Sequence, residues 1–261
     1  MKYLITIDID GTLKRSDRSI SRRTKKVIKE LTKQGHVIAI CSARPRYSSF
    51  KVAEEVLASC YLISSNGTEI YDSVKHKLIF SEYIPKDICK IIYNETKELN
   101  IRTLFTCENT EYATKFIRNN SQVLLTDDNL DELFNQNIKQ IMVIDENIDA
   151  VREYKDRISN IKEIYVVDKF GEKDEYMSFS VISSNASKGN ALKVLAEYLN
   201  IPMENTIAIG NDNNDISMLQ IANVGVAVEN ASDDLKKYAD VITKSNDLDG
   251  VACYLESLLK N

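Results

Sequence analysis

The sequence predicts an α/β fold, a doubly wound parallel sheet with a second α/β domain inserted in its middle, and three observations predict it. Short, continuously apolar runs alternate with amphipathic stretches towards both ends of the chain. Such runs belong to strands buried on both faces, and hence to a parallel sheet covered by helices. The texture changes between about residues 83 and 183, where a separate set of strand and helix patterns appears. Most of the eight glycines fall at the ends of predicted elements, where a missing side chain permits a tight turn.

Hydrophobic periodicity places a strand at Tyr3 to Ile7, a helix across Ser21 to Lys33, a strand at Val37 to Cys41, a helix near Ser48 to Leu57 and a strand at Tyr61 to Ser64, a βαβαβ series. Asn66-Gly67, with Glu69 to Tyr71 and Leu78 to Phe80, reads as a hairpin, and Ile84-Pro85 as a break. The middle segment carries a helix at Lys86 to Leu99, a strand-like Ile101 to Thr106, a strand at Ile138 to Ile144, a helix at Ile148 to Ile158, and strands at Ile161 to Val167 and Tyr176 to Ile182. Alternation then resumes with helices at Lys188 to Leu199, Asp215 to Ile221, Ser232 to Tyr238 and Gly250 to Leu259. Strands at Thr206 to Ile209, Gly225 to Val228 and Asp240 to Thr243 lie between them. The expected organisation is a core of residues 1–82 and 184–261 with an insert at 83–183, suited by its position in the chain to act as a lid.

Composition narrows the function classes. The 261 residues are 43% hydrophobic and 28% charged, ordinary for a globular protein. The longest apolar runs fall well short of a membrane span. The N-terminus enters the first strand with no signal core, which predicts a cytoplasmic protein. Five scattered cysteines, Cys41, Cys60, Cys89, Cys107 and Cys253, form no C-x-x-C pair, so zinc and dithiol chemistry are not expected. A net charge of −5 gives no general attraction to nucleic acid. The basic stretch from Arg22 to Lys33 interleaves Val27, Ile28 and Leu31, as a helix with a solvated face does. Neither His36 nor His76 has a neighbour in sequence that marks a triad. Oligomeric state is not readable.

In an open parallel sheet the ligand crevice lies beyond the carboxyl ends of the strands, where strand order reverses. Three polar clusters fall there: Asp8-Ile9-Asp10-Gly11-Thr12 after the first strand, Ser42-Ala43-Arg44 after the second, and Gly210-Asn211-Asp212-Asn213-Asn214-Asp215 after the strand that follows the insert. On a strand-like path Asp8 and Asp10 point the same way, which is unfavourable unless a cation joins them. Carboxylates from Asp8 and the 211 to 215 loop, with a carbonyl and water, make the all-oxygen environment that Mg²⁺ favours. An ionised aspartate needs no base to act as a nucleophile. Its repulsion from a phosphate, about 4 kcal/mol per unit charge at ~4 Å and an effective dielectric of 20, is offset by Mg²⁺ and a lysine. Lys188, opening a helix against its dipole, is the candidate lysine. Ser42 and the amide of Ala43 precede a helix start that can hold phosphate oxygens.

These residues resemble the haloacid dehalogenase superfamily, and within it the Cof-type phosphatases of subclass IIB. The four motifs recur in order: D-x-D-G-T at Asp8 to Thr12, the hydroxyl of Ser42, Lys188, and the acidic loop Gly210 to Asp215. The likeness runs through the Ser65-Asn66-Gly67 turn to the closing Ser245 to Val251 stretch. It implies a Rossmann-like core with a C2B-type α/β cap that selects small phosphate esters, usually sugar phosphates. Asp8 then forms an aspartyl-phosphate, while Asp10 serves as general acid and base. Ser42, Lys188, Asn214 and the amides of Ile9 and Ala43 hold the phosphoryl group. Asp8, the Asp10 carbonyl and the loop residues Asn211 and Asp215 hold Mg²⁺. Two positions depart from the pattern: Ala43 stands where the family has glycine, and Asn211 where it usually has a metal-binding aspartate. Alternatives are a phosphomutase of the same superfamily, or a catalytically weak phospho-ligand binding or regulatory protein, which the Asn211 change favours. Generic nucleotide binding lacks a G-x-G-x-x-G or P-loop after any strand.

Overall fold

The computed structural model describes residues 2–56, 60–115, 122–168 and 175–259. The chain forms two compact units, residues 1–80 with 187–261, and residues 81–186, limits just outside the 83 to 183 insert read from the sequence. No helix among the described residues is long and apolar enough to cross a membrane.

The first unit opens with β1 (Leu4–Asp8), α1 (Arg22–Lys33), β2 (Val37–Cys41), α2 (Arg46–Val56), β3 (Tyr61–Ser64), β4 (Glu69–Asp72) and β5 (Lys77–Ser81). Leu57, the expected end of the second helix, lies outside the described residues. Asn66-Gly67 turns between β3 and β4, which pair antiparallel, and β4 and β5 follow it as sheet neighbours, the hairpin expected after that turn. The second unit contains α3 (Lys86–Glu98), β6 (Thr103–Thr106), β7 (Glu111–Ala113), β8 (Gln122–Leu124), α4 (Leu130–Asn135), β9 (Gln140–Asp145), α5 (Ile148–Ile158), β10 (Ile164–Asp168) and β11 (Met177–Ser183). The chain then returns to the first unit with α6 (Lys188–Tyr198), β12 (Thr206–Gly210), α7 (Ile216–Ile221), β13 (Val224–Ala227), α8 (Asp233–Lys236), β14 (Val241–Ile242) and α9 (Gly250–Leu258).

The first unit's sheet runs β14-β13-β12-β1-β2-β3-β4-β5. β1 is parallel to both β2 and β12, with Leu4 opposite Val37 and Thr206. Every residue of β1 is buried, and alternation divides its side chains between two cores. Ile5 and Ile7, with Ile38 and Ile40, pack against Val27, Ile28 and Leu31 of α1 and Leu255 of α9. Leu4, Ala39 and Cys41 join Leu192 and Leu195 of α6 and Leu219 of α7. Successive connections run outward from β1 in one direction to β3 and from β12 in the other to β14, so the order reverses at the β1–β12 pair, where a doubly wound sheet opens its crevice.

The basic stretch behaves as its spacing predicts. Ser21 caps α1 by accepting from the Thr24 amide, and Thr24, Val27, Ile28 and Leu31 form the buried face. Arg22, Arg23, Lys26 and Lys29 stay exposed.

The second unit's sheet has the order β10-β11-β9-β6-β7-β8, with β9 antiparallel to both β6 and β11. One face is apolar: Phe105, Ile141, Val143, Phe179 and Val181 pack with Ile92 of α3 and Val151, Tyr154 and Ile158 of α5. The alternate positions carry polar groups, including Gln140, whose amide donates to Ser180 Oγ at 3.2 Å. β7, β8 and α4 are not among the elements expected from the sequence, each being too short for its period to register.

Candidate active site

The predicted clusters meet at the carboxyl ends of β1, β2 and β12, joined by the start of α6. Ser187 caps α6 by accepting from the Asn190 amide, which places Lys188 in the first helical turn with its side chain 1% exposed. Its Nζ lies 2.7 Å from Asp8 Oδ1 and 2.5 Å from Asp215 Oδ1. Burial acts against the lysine's charge, but Asp215 and Asp8 more than compensate and raise its pKa. Asp8, ending β1, is pushed up to about 7 by burial and by the charge of Asp215, against the pull of Lys188. Two buried carboxylates thus share one ammonium.

Asp215 is further engaged. Its Oδ2 accepts from the amides of Asn211 at 2.9 Å and Asp212 at 3.1 Å, folding the loop after β12 around the carboxylate. Asn211, 3% exposed, lies between motifs. With its amide turned to satisfy its neighbours, the nitrogen donates to Thr12 Oγ1 at 2.7 Å, to the Asp10 carbonyl at 3.0 Å and to Asp8 Oδ2 at 3.2 Å. Gly11 makes room for it. Its φ is +80°, and an added Cβ would lie 2.6 Å from the Asn211 amide.

The strand ends at Asp8, so the strand-like path expected through Asp10 stops short. Asp10 pairs instead with Arg44, which donates from Nε to Oδ2 at 2.6 Å and from Nη2 to Oδ1. Its backbone carbonyl, not its carboxylate, approaches Asn211. Ile9 between them is buried in the apolar core, which leaves only its backbone for a phosphate. Ser42 is 1% exposed, and its Oγ accepts from the Arg44 amide at 3.2 Å. Ala43 follows, half-buried. Asn214 donates from Nδ2 to Asn66 Oδ1 at 3.0 Å.

The donor set fits a small hard cation. Asp8 Oδ2 and the Asp10 carbonyl lie 3.2 and 3.0 Å from the Asn211 amide, within the reach of ligands that share such an ion, and a half-turn of the amide presents its oxygen. The charge balance also fits, since the ammonium offsets one of two buried carboxylates. Among the described residues no three His, Cys, Asp or Glu side chains form a metal-holding group, so the amide and the carbonyl are integral to this set. Arg44, Thr12 and Asn66 join the site without a role assigned from the sequence, although each stands within a stretch singled out there: Ser42 to Arg44, Asp8 to Thr12 and Ser65 to Gly67.

The arrangement matches a known family. A family model of haloacid dehalogenase-like hydrolases matches residues 5–255. The chain belongs to the haloacid dehalogenase-like hydrolases. It is 30% identical to the 5-amino-6-(5-phospho-D-ribitylamino)uracil phosphatase YcsE of Bacillus subtilis, over 95% of this chain and 92% of that one. A haloacid dehalogenase-like hydrolase from B. subtilis superposes with a TM-score of 0.87 at 26% identity, covering 98% of this chain and 99% of that one. The subclass IIB sugar phosphatase BT4131 shares the fold with a TM-score of 0.81 at 20% identity over 98% of each chain. This hydrolase is a Cof-type phosphatase, and it shares its α/β fold with that subclass IIB enzyme.

Proposed function

We propose that this phosphatase is Mg²⁺-dependent and hydrolyses small phosphate esters, sugar phosphates first among them, through an aspartyl-phosphate on Asp8. The observation that carries the proposal is Lys188 held between the buried carboxylates of Asp8 and Asp215. That lysine positions Asp8 and supplies positive charge where the transferring phosphoryl group gathers negative charge.

Asp8 attacks the phosphorus as the ester P–O bond breaks, and Asp10 gives a proton to the leaving oxygen. Asp10 then takes a proton from water, which attacks the phosphorus and releases phosphate from Asp8. Arg44 holds the Asp10 carboxylate, so proton transfer requires Asp10 to loosen from that pair. Ser42, Lys188, Asn214 and the backbone amides of Ile9 and Ala43 bind the phosphoryl oxygens. Asp8, the Asp10 carbonyl and Asn211 hold Mg²⁺, while Asp215 braces their loop and adds its charge. When bound, Mg²⁺ offsets the repulsion between Asp8 and the phosphate.

The segment read as 83–183 serves as the cap that selects the leaving group. Sugar phosphates and the phosphoribityl compound named for the Bacillus relatives share a phosphate on a polyhydroxylated carbon chain, which makes that class the first to try. The five thiols are unpaired, in keeping with a cytoplasmic protein.

The test is a panel of hexose phosphates, glycerol phosphate and 5-amino-6-(5-phospho-D-ribitylamino)uracil, assayed with Mg²⁺ or EDTA for the wild type and Asp8→Asn. Hydrolysis in EDTA, or full activity in Asp8→Asn, overturns the mechanism. The Asn211 amide, donating into the place where a cation belongs, favours a second reading as a phospho-ligand binding protein. Tight phosphate binding without turnover of any ester supports that one.

A further inference from the structure

The turn joining β3 to β4 meets three of the four loops that build the site. The Ser65 amide donates to the Arg44 carbonyl at 2.8 Å and the Asn66 amide to the Ser42 carbonyl at 3.0 Å, which ties the turn to the loop after β2. The Asn66 side chain accepts from Asn214 at 3.0 Å, which ties it to the loop after β12. Gly67 packs against the start of α6. A Cβ there would stand 2.2 Å from the Ser187 carbonyl oxygen and 2.8 Å from the Lys188 nitrogen.

The backbone is shaped for this. Ser65, Asn66 and Gly67 have φ of +48°, +59° and +92° in succession, a left-handed path disfavoured for the two residues that carry a Cβ. Ser65 and Asn66 are 1% and 2% exposed, although connecting segments usually run over the surface. A buried, strained turn persists only where its surroundings over-determine it, and such turns gather at functional sites.

We infer that Asn66 is a positioning residue for phosphoryl transfer. It sets the loops carrying Ser42 and Asn214 in register with one another, while Gly67 admits the backbone of Lys188. The inference rests on the phosphoryl-transfer reading of the site. Asn66 acts through its neighbours, so its loss affects the rate of the chemical step more than the affinity for substrate.

Asn66→Gly isolates the side chain, because glycine adopts the same left-handed conformation without strain. With p-nitrophenyl phosphate and Mg²⁺, kcat falls about three- to tenfold, the worth of one neutral hydrogen bond, and KM stays within about twofold. Combined with Asn214→Ala, it lowers kcat by less than the product of the two single losses, as expected of two groups coupled through a contact. An unchanged kcat, or losses that multiply, overturns the inference.

Hydrogen exchange provides an arm that needs no turnover. Amides of residues 42–44 and 211–215 exchange faster in Asn66→Gly at an unaltered unfolding midpoint, and Asn66→Asp, which keeps the acceptor, restores their protection. Unchanged exchange in both loops overturns the inference, whether or not the ester is hydrolysed. Faster exchange in Asn66→Gly, where the wild type itself cleaves no phosphate ester, supports the positioning role and removes the phosphatase reading alone.

Discussion

Two ion clusters built on aspartates two residues apart, Asp8 and Asp10, differ sharply in burial. Lys188 joins Asp8 and Asp215 with side chains 1%, 8% and 0% exposed. Arg44 joins Asp10 with side chains 32% and 59% exposed. Buried charges are expensive to desolvate and unforgiving to unpair, whereas an exposed pair is screened by water and worth little. The contrast suits different tasks. A nucleophile and the lysine beside it gain from being fixed before substrate arrives, while a group that exchanges protons with leaving group and water must be able to let go of its partner.

The largest expected effect is on the buried cluster. Lys188→Met leaves two carboxylates buried without their ammonium. It should cost about 3–5 kcal/mol in urea unfolding, the usual result of removing one partner from a buried pair, together with nearly all phosphatase activity. A loss below 1 kcal/mol would mean that water reaches the cluster, and the contrast with Arg44–Asp10 would collapse.

Asn211→Asp tests the edge of the same cluster. The new carboxylate faces Asp8 Oδ2 in place of a donor, so without metal the protein should lose about 1–3 kcal/mol, as a buried acceptor loses its partner. With Mg²⁺ the added charge should tighten binding about tenfold, measured by calorimetry with the metal alone. Equal Mg²⁺ affinity in the two proteins would place the cation on other ligands. Gly11→Ala intrudes on the same amide and forces a Cβ onto a φ of +80°. A loss of about 1–2 kcal/mol from the backbone alone, with weaker Mg²⁺ binding, is expected in melting curves recorded with and without the ion.

Much of this site is legible in the sequence because strand ends are. An apolar run that stops at Asp8, another that stops before Ser42 and a third that stops before Asn211 are enough to gather those residues at one edge of a parallel sheet. Partner choice is not legible. Which of two aspartates takes the lysine depends on where β1 ends and the chain turns, and Arg44 reaches Asp10 across 34 residues of sequence. The second unit is less legible for a related reason. β7 and β8 have three residues each, fewer than two periods of an alternating pattern, so tertiary pairing and not local periodicity defines them. A local signal for the approach to α4 did exist, in the Thr126 and Asn129 capping box.

The smallest effect belongs to the exposed pair. Arg44→Ala removes both hydrogen bonds to Asp10, yet Asp10 is more than half exposed and water can solvate its carboxylate once the guanidinium is gone. Stability in urea should therefore change by less than about 1 kcal/mol, and the change should shrink further in high salt, where exposed charges are screened. Arg44 also offers its backbone carbonyl to Ser65, a contact that alanine keeps. A stability loss as large as that of Lys188→Met would show that the pair is structural, and that Asp10 is held too firmly to serve as the proton carrier.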